Sequence, residues 1–160
     1  IKGGGQEQGR RSGTENLLGI VGFGAAATAA AQDLANGVWE NVQALRDQME
    51  ARILDATSKV IIFGKDVNRL PNTSNFAVPG WKGETQVMNM DLAGFAISAG
   101  SACSSGKVKT SRVLKAMGYD DITASSAVRV SIGPTTTEQQ VMSFADAWIT
   151  AYKKFAARNA

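Results

Sequence analysis

Val128-Arg129-Val130-Ser131-Ile132-Gly133-Pro134, followed after Thr135-Thr136 by Thr137-Glu138-Gln139-Gln140-Val141-Met142-Ser143-Phe144-Ala145-Asp146-Ala147-Trp148-Ile149-Thr150-Ala151-Tyr152-Lys153-Lys154-Phe155, changes its apolar period abruptly. The first part alternates, which predicts a strand with Val128, Val130 and Ile132 on one face and Arg129 on the other. In the second part Thr137 and Gln140 form a capping box, and Val141, Phe144, Ala145, Trp148, Ile149, Tyr152 and Phe155 fall on one stripe of a helix. A strand with one polar face, followed by a strongly amphipathic helix, is the pattern of a helical layer laid on one side of a sheet.

The same pattern continues upstream. Ser111 to Met117 reads as a helix closed by Gly118, and Phe95 to Ser98 as a strand. Gly83-Glu84-Thr85 opens a short helix through Met90, with Val87, Met88 and Leu92 expected toward a core. Asn75 to Val78, bounded by Asn72 and Pro79-Gly80, and Lys59 to Phe63, ending at Gly64, read as two more strands. Before them lies a long helical element: Glu15 to Ala35, a break at Asn36-Gly37, then Val38 to Ala56 with a stripe of Val42, Leu45, Met49 and Ile53. Such an element suits a connection between two lobes of a larger protein. The expected class is α+β, with helices on one face of a small, mostly antiparallel sheet.

Composition narrows the function. The chain has 160 residues, enough for one real core, and its net charge of +3 is too mild to argue for nucleic acid. Its one cysteine forms no internal disulfide, so a reducing cytoplasm is the expected compartment. With no histidine, the commonest general base and metal ligand is missing from the chain. The apolar stretch from Leu17 to Ala31 is about fifteen residues, shorter than a bilayer span and interrupted by Gly19, Gly22 and Gly24, which predicts a buried helix and no membrane. The opening Ile1-Lys2-Gly3-Gly4-Gly5, without methionine, suggests the downstream piece of a longer polypeptide.

Two stretches carry chemistry. In Ser98-Ala99-Gly100-Ser101-Ala102-Cys103-Ser104-Ser105-Gly106 the single thiol has only small neighbours and two glycines, and Lys107 and Lys109 follow. That composition predicts a pliant, presented cysteine with thiolate character, as against the small buried hydrophobe that a lone cysteine otherwise is. Near the N-terminus, Arg10, Arg11, Ser12 and Thr14 precede a helix for which Thr14 is the expected cap. Cations, hydroxyls and free helix N–H groups there suit an anion such as phosphate, with an ordinary capped helix as the alternative.

Gly3-Gly4-Gly5-Gln6-Glu7, Arg11-Ser12-Gly13-Thr14-Glu15-Asn16, Ser101-Ala102-Cys103-Ser104-Ser105-Gly106 and Val128-Arg129-Val130-Ser131-Ile132-Gly133 resemble, in that order, the C-terminal part of cysteine desulfurases of the NifS/IscS type. These are pyridoxal-phosphate (PLP) enzymes of aminotransferase class V. The resemblance implies the α+β small C-terminal domain of a fold-type I PLP transferase: residues 1–35 would end the large PLP domain and begin the connecting helix, and 36–160 would form the small domain with the cysteine loop.

It also implies an activity: removal of sulfur from L-cysteine, leaving alanine and a persulfide on Cys103. Thr14 matches the threonine that contacts the PLP phosphate in the neighbouring subunit's site, which implies a homodimer, and Arg129 matches the arginine that grips the substrate α-carboxylate. The loop resembles that of the subgroup that feeds iron-sulfur scaffolds, and there Cys103 would also serve as a transient iron-sulfur cluster ligand, with partner ligands completing the site.

Gln6 departs from the pattern, since several relatives carry histidine there. The Ser-x-His-Lys context of the cofactor lysine is missing altogether, as the chain has no histidine. A second chain, the N-terminal part of the same enzyme, would therefore have to supply that lysine. The alternatives are a PLP-free persulfide carrier module and a selenocysteine lyase.

Overall fold

The computed structural model describes residues 1, 3–100 and 110–159. The chain divides into two compact units, Ile1–Val38 and Trp39–Ala160.

In the first unit a short 3-10 turn, Gln6–Gly9, precedes helix α1, Leu17–Ala35. The cap is Asn16, not Thr14: Asn16 Oδ1 accepts from the Gly19 N–H at 3.1 Å, and the helix starts two residues later than the sequence suggests. The Asn16 carboxamide oxygen, an equally good cap acceptor, stands three residues before the Gly19 N–H and takes the helix end that Thr14 is too far upstream to reach. The expectation of a buried helix also fails within this unit. None of the 19 residues of α1 is buried, and Leu18 and Phe23 are 87% and 78% exposed. By length and composition alone α1 could cross a bilayer, although the sequence reading counted it too short.

Helix α2, Val38–Ala56, opens the second unit with its second residue, and a sheet with its covering helices makes up most of the rest. The break before α2 falls at Asn36-Gly37 as expected, with Gly37 at φ 72°, a backbone region that glycine enters freely. Strands β1 (Ile61–Ile62), β2 (Thr73–Ala77), β3 (Ser98–Ala99) and β4 (Ala127–Ser131) pair antiparallel throughout, in the order β1-β2-β4-β3. Helices α3 (Gly83–Leu92), α4 (Arg112–Ala116), α5 (Asp121–Ser125) and α6 (Glu138–Arg158) complete the unit. The α+β class and the antiparallel sheet are as the sequence predicts. β1 is shorter than its apolar run, β3 begins where its run was expected to end, and α5 was missed.

One face of the sheet, through Phe76, Val128 and Val130, packs with Met49 and Ile53 of α2 and Val141, Phe144, Ala145 and Trp148 of α6. Phe76 meets Trp148 edge to face, and Trp81 is stacked on Phe155. The capping box of α6 forms as read: Gln140 N–H donates to Thr137 Oγ1 and Thr137 N–H to Gln140 Oε1.

Helix α3 corrects the sequence reading. It buries Gly83, Gln86 and Met90, while Met88 and Leu92 are exposed. Gln86 turns inward because every hydrogen-bonding need is met there: Nε2 donates to the Trp81 and Ser126 carbonyls, both at 2.8 Å, and Oε1 accepts from Trp148 Nε1 at 3.0 Å. A satisfied amide costs little to bury and ties α3 to α6 and to the entrance of β4. Gly83 follows from the same closeness, since a Cβ there would lie 2.6 Å from the Ala127 carbonyl.

Candidate functional site

The sheet's other face is divided. At one end Ala77 and Ala127 are covered by Phe63, Leu114 and Ala124. Toward the other end lies a polar row: on β4, Arg129 has Asn75 of β2 opposite it on one side and Ser98 of β3 on the other. The alternation read from Val128-Arg129-Val130 therefore holds, with both valines buried and the arginine exposed. An edge-strand position, the bland account of such an arginine, does not apply, because β4 lies between β2 and β3.

Three other arginines of this unit, Arg46, Arg52 and Arg69, show what a structural arginine looks like. Arg69 makes a bidentate pair with Glu50, at 2.7 and 2.6 Å, and Ser74 Oγ adds a third bond to the same carboxylate at 2.7 Å. That hydrogen-bonded carboxylate pushes the Arg69 pKa up, overriding the opposing effect of burial. Arg46 is buried and donates to Asp47 and to the Leu70 carbonyl, so the loop after β1 is clamped onto α2. Arg52 is held by Asp146. Among the described residues Arg129, like Arg112 of α4 and Arg158 of α6, has no hydrogen bond or ion pair, and of the three it alone stands on the sheet, with a planar five-donor fork of the kind that suits a carboxylate.

Thr14 belongs to the first unit. It is exposed, and its hydroxyl has no hydrogen-bond partner among the described residues. Arg11 determines how it is presented, donating to the Gly13 carbonyl at 2.9 Å and to that of Thr14 at 3.1 Å, with Glu7 at 3.5 Å on its other side. Thus Arg11 spends much of its donor set on the turn itself and is not a free anion ligand. Gly13 sits at φ 89° and, less usually, Glu7 and Gln8 also take left-handed backbone angles of 52° and 60°. Non-glycine residues held in that region carry strain of about 1–3 kcal/mol each, and such strain concentrates at functional segments.

Cys103 lies outside the described residues, as does all of 101–109. β3 ends at Ala99, four residues before it, so the strand beside Arg129 is the one that leads to the cysteine. Two clefts, of about 420 Å³ over Arg46, Glu50 and Arg69 and about 600 Å³ beside Trp81, Met90 and Phe155, are lined by neither Arg129 nor Thr14. Among the described residues no cluster of histidine, cysteine and carboxylates is suited to a metal ion.

The sequence profile of the aminotransferase class-V family matches residues 3–144. The chain belongs to that family. Among class-V relatives it is 42% identical to the cysteine desulfurase NifS of Azotobacter vinelandii over 141 residues, and 43% identical to a cysteine desulfurase of Gluconacetobacter diazotrophicus over 143. Each alignment covers 88% of this chain and 35% of the relative, so the chain spans about a third of the length of the curated relatives it matches.

Solved structures agree with this. The NifS-like protein from Rickettsia africae superposes with a TM-score of 0.79 at 31% identity, over 96% of this chain and 39% of that one. DndA from Streptomyces lividans gives 0.56 at 29% identity, over 82% and 36%.

Asn75 is the residue of this face that sequence reasoning missed. It was read only as the start of a strand, and nothing in Thr73-Ser74-Asn75-Phe76 distinguishes it before the register places it opposite Arg129.

Proposed function

We propose that this chain is the C-terminal part of a cysteine desulfurase, in which Arg129 holds the substrate and Cys103 takes its sulfur. The observation that carries the reading is the guanidinium of Arg129, without a partner among the described residues, on an interior strand flanked by the strand that runs toward the cysteine segment. A bidentate grip on the α-carboxylate of L-cysteine fixes the direction in which the substrate side chain points. The Cys103 thiolate then forms an S–S bond to the substrate sulfur as the substrate's C–S bond breaks. Its electron pair stays on the carbon skeleton, which leaves as alanine after protonation, and the persulfide remains on Cys103. Lys107 and Lys109 nearby in sequence favour the thiolate.

Class-V membership implies pyridoxal phosphate, and the chain's own residues fit one edge of it. The exposed Thr14 hydroxyl, without a hydrogen-bond partner among the described residues and presented by Arg11 and Gly13, is a suitable donor to the phosphate of the neighbouring subunit's site in a homodimer. When bound, the cofactor supplies the electron withdrawal that weakens the substrate's C–S bond. Its lysine is not found in this sequence in the expected Ser-x-His-Lys context, so the N-terminal part of the enzyme supplies it. The division at Val38 supports reading 1–35 as the end of the large domain and the start of the connecting helix, with 36–160 as the small domain. The exposed apolar surface of α1 would then be covered by the large domain. Iron-sulfur assembly in the cytoplasm is the proposed destination of the sulfur, with Cys103 as a transient cluster ligand alongside ligands from the acceptor.

The test supplies the lysine-bearing part together with L-cysteine, and follows alanine release and persulfide on Cys103 by mass spectrometry. Cys103→Ser is expected to abolish sulfur transfer. Retained turnover of cysteine or selenocysteine in that variant would favour a lyase, and persulfide uptake by the chain without PLP would favour a carrier module.

A further inference from the structure

Backbone bonding around Asn75 determines how closely it meets Arg129. The Asn75 carbonyl accepts from Phe63 N–H at 2.9 Å on the β1 side, whereas Asn72, three residues earlier, uses its carbonyl toward β4, accepting from Ile132 N–H at 2.9 Å. By the alternation of an antiparallel ladder, Asn75 and Arg129 form a non-hydrogen-bonded pair, the kind whose Cα atoms lie about 4.5 Å apart and whose side chains are closest. Asn75 Oδ1 is shielded from solvent and accepts no hydrogen bond among the described residues. A buried amide oxygen without a donor is uncommon and asks for an explanation. Its cross-strand neighbour carries five N–H groups and, among the described residues, no acceptor.

We propose that Asn75 is the positioning residue of the carboxylate subsite. Its Oδ1 accepts one guanidinium N–H of Arg129 when the ligand binds, and so turns the fork until two parallel N–H groups face the ligand's two oxygens. This rests on the carboxylate role of Arg129 argued above. A neutral acceptor suits the task, because it orients the guanidinium without cancelling the charge that attracts the carboxylate. An aspartate in its place would pair with Arg129 outright and repel the substrate.

The experiment uses the enzyme that carries this chain joined to its lysine-bearing part, and compares Asn75→Leu, Asn75→Asp, Arg129→Ala and the double variant Asn75→Leu/Arg129→Ala. Asn75→Leu is expected to raise KM for L-cysteine about tenfold with kcat within about twofold. Its melting temperature should not fall, since the leucine keeps the branched shape and removes an unsatisfied buried oxygen. Asn75→Asp should raise KM further, and Asn75→Leu should add nothing in the Arg129→Ala background. If Asn75→Leu fails to fold, Asn75→Ser, which is too short to reach the guanidinium, is read in the same way. An unchanged KM with a lowered melting temperature, or a full additive effect in the double variant, overturns the proposal. A KM unmoved by Arg129→Ala overturns the carboxylate reading itself, and with it this one.

Discussion

Helices α1 and α6 are nearly equal in length, 19 and 21 residues, and they have opposite fates. α6 is the more polar by composition, yet buries Val141, Phe144, Ala145, Trp148, Ile149 and Tyr152; α1 is almost wholly apolar or small and buries nothing. The difference lies in arrangement. In α6 the apolar residues recur at three and four, which concentrates them on a stripe that a sheet can cover. In α1 they surround the axis, so no single neighbouring layer could satisfy it. A helix apolar on all sides needs partners on several sides, which the class-V relatives, about three times as long, would have room to supply.

The largest expected effect separates the two helices directly. Trp148→Ala empties the centre of an aromatic cluster and leaves Gln86 Oε1 without its donor, so denaturant unfolding of the second unit should lose about 3–5 kcal/mol. Phe23→Ala in this chain should change unfolding by less than about 0.5 kcal/mol, and should cost several kcal/mol in the proposed longer protein, where the large domain would cover α1. Equal costs for the two substitutions in the chain alone would break the contrast.

A smaller effect sharpens it. Thr137→Ala removes half of the α6 capping box and should lower the stability of the second unit by about 1 kcal/mol. Asn16→Ala removes the α1 cap, and should show mainly as faster amide exchange in the first turn of α1, with little change in the second unit's unfolding midpoint.

The smallest is a pH effect on α5. Asp120 caps that helix, and the hydrogen bond from the Thr123 N–H, 2.7 Å from Oδ1, pulls its pKa below the usual carboxylate value. A folded pKa below the unfolded one means stability that is fully present above the unfolded value, near 3.9, and lost as pH falls through the folded one. Protection of the Thr123 amide, its exchange measured against the intrinsic rate at each pH, should therefore stay constant down to about pH 4 and fall below it, and Asp120→Asn should remove the dependence.

Much of the second unit was legible from the chain: the capping box at Thr137, the stripe along α6, the alternation that turns Arg129 away from Val128 and Val130. Each is a local regularity that repeats a period, and periods survive any folding context. The reading failed where polarity and burial part company. Met88 and Leu92 are expected toward the core and lie exposed, while Gln86 is buried, because hydropathy cannot know that Trp148 and two carbonyls await an amide. At Thr14 the failure was one of competition, with Asn16 better placed to take the same helix end.

The sequence by itself determined the α+β class, the family resemblance and the residue types available for chemistry, since these depend on identity and spacing along the chain. Only the tertiary structure decided that Arg129 stands on an interior strand opposite Asn75, that Arg46 and Arg69 are committed to Asp47 and Glu50, and that the α1 surface finds no cover in its own unit. These are matters of register and of pairing between distant residues. The energy of a charge or an amide depends on which group stands across from it, and the order of residues along one strand does not contain that information.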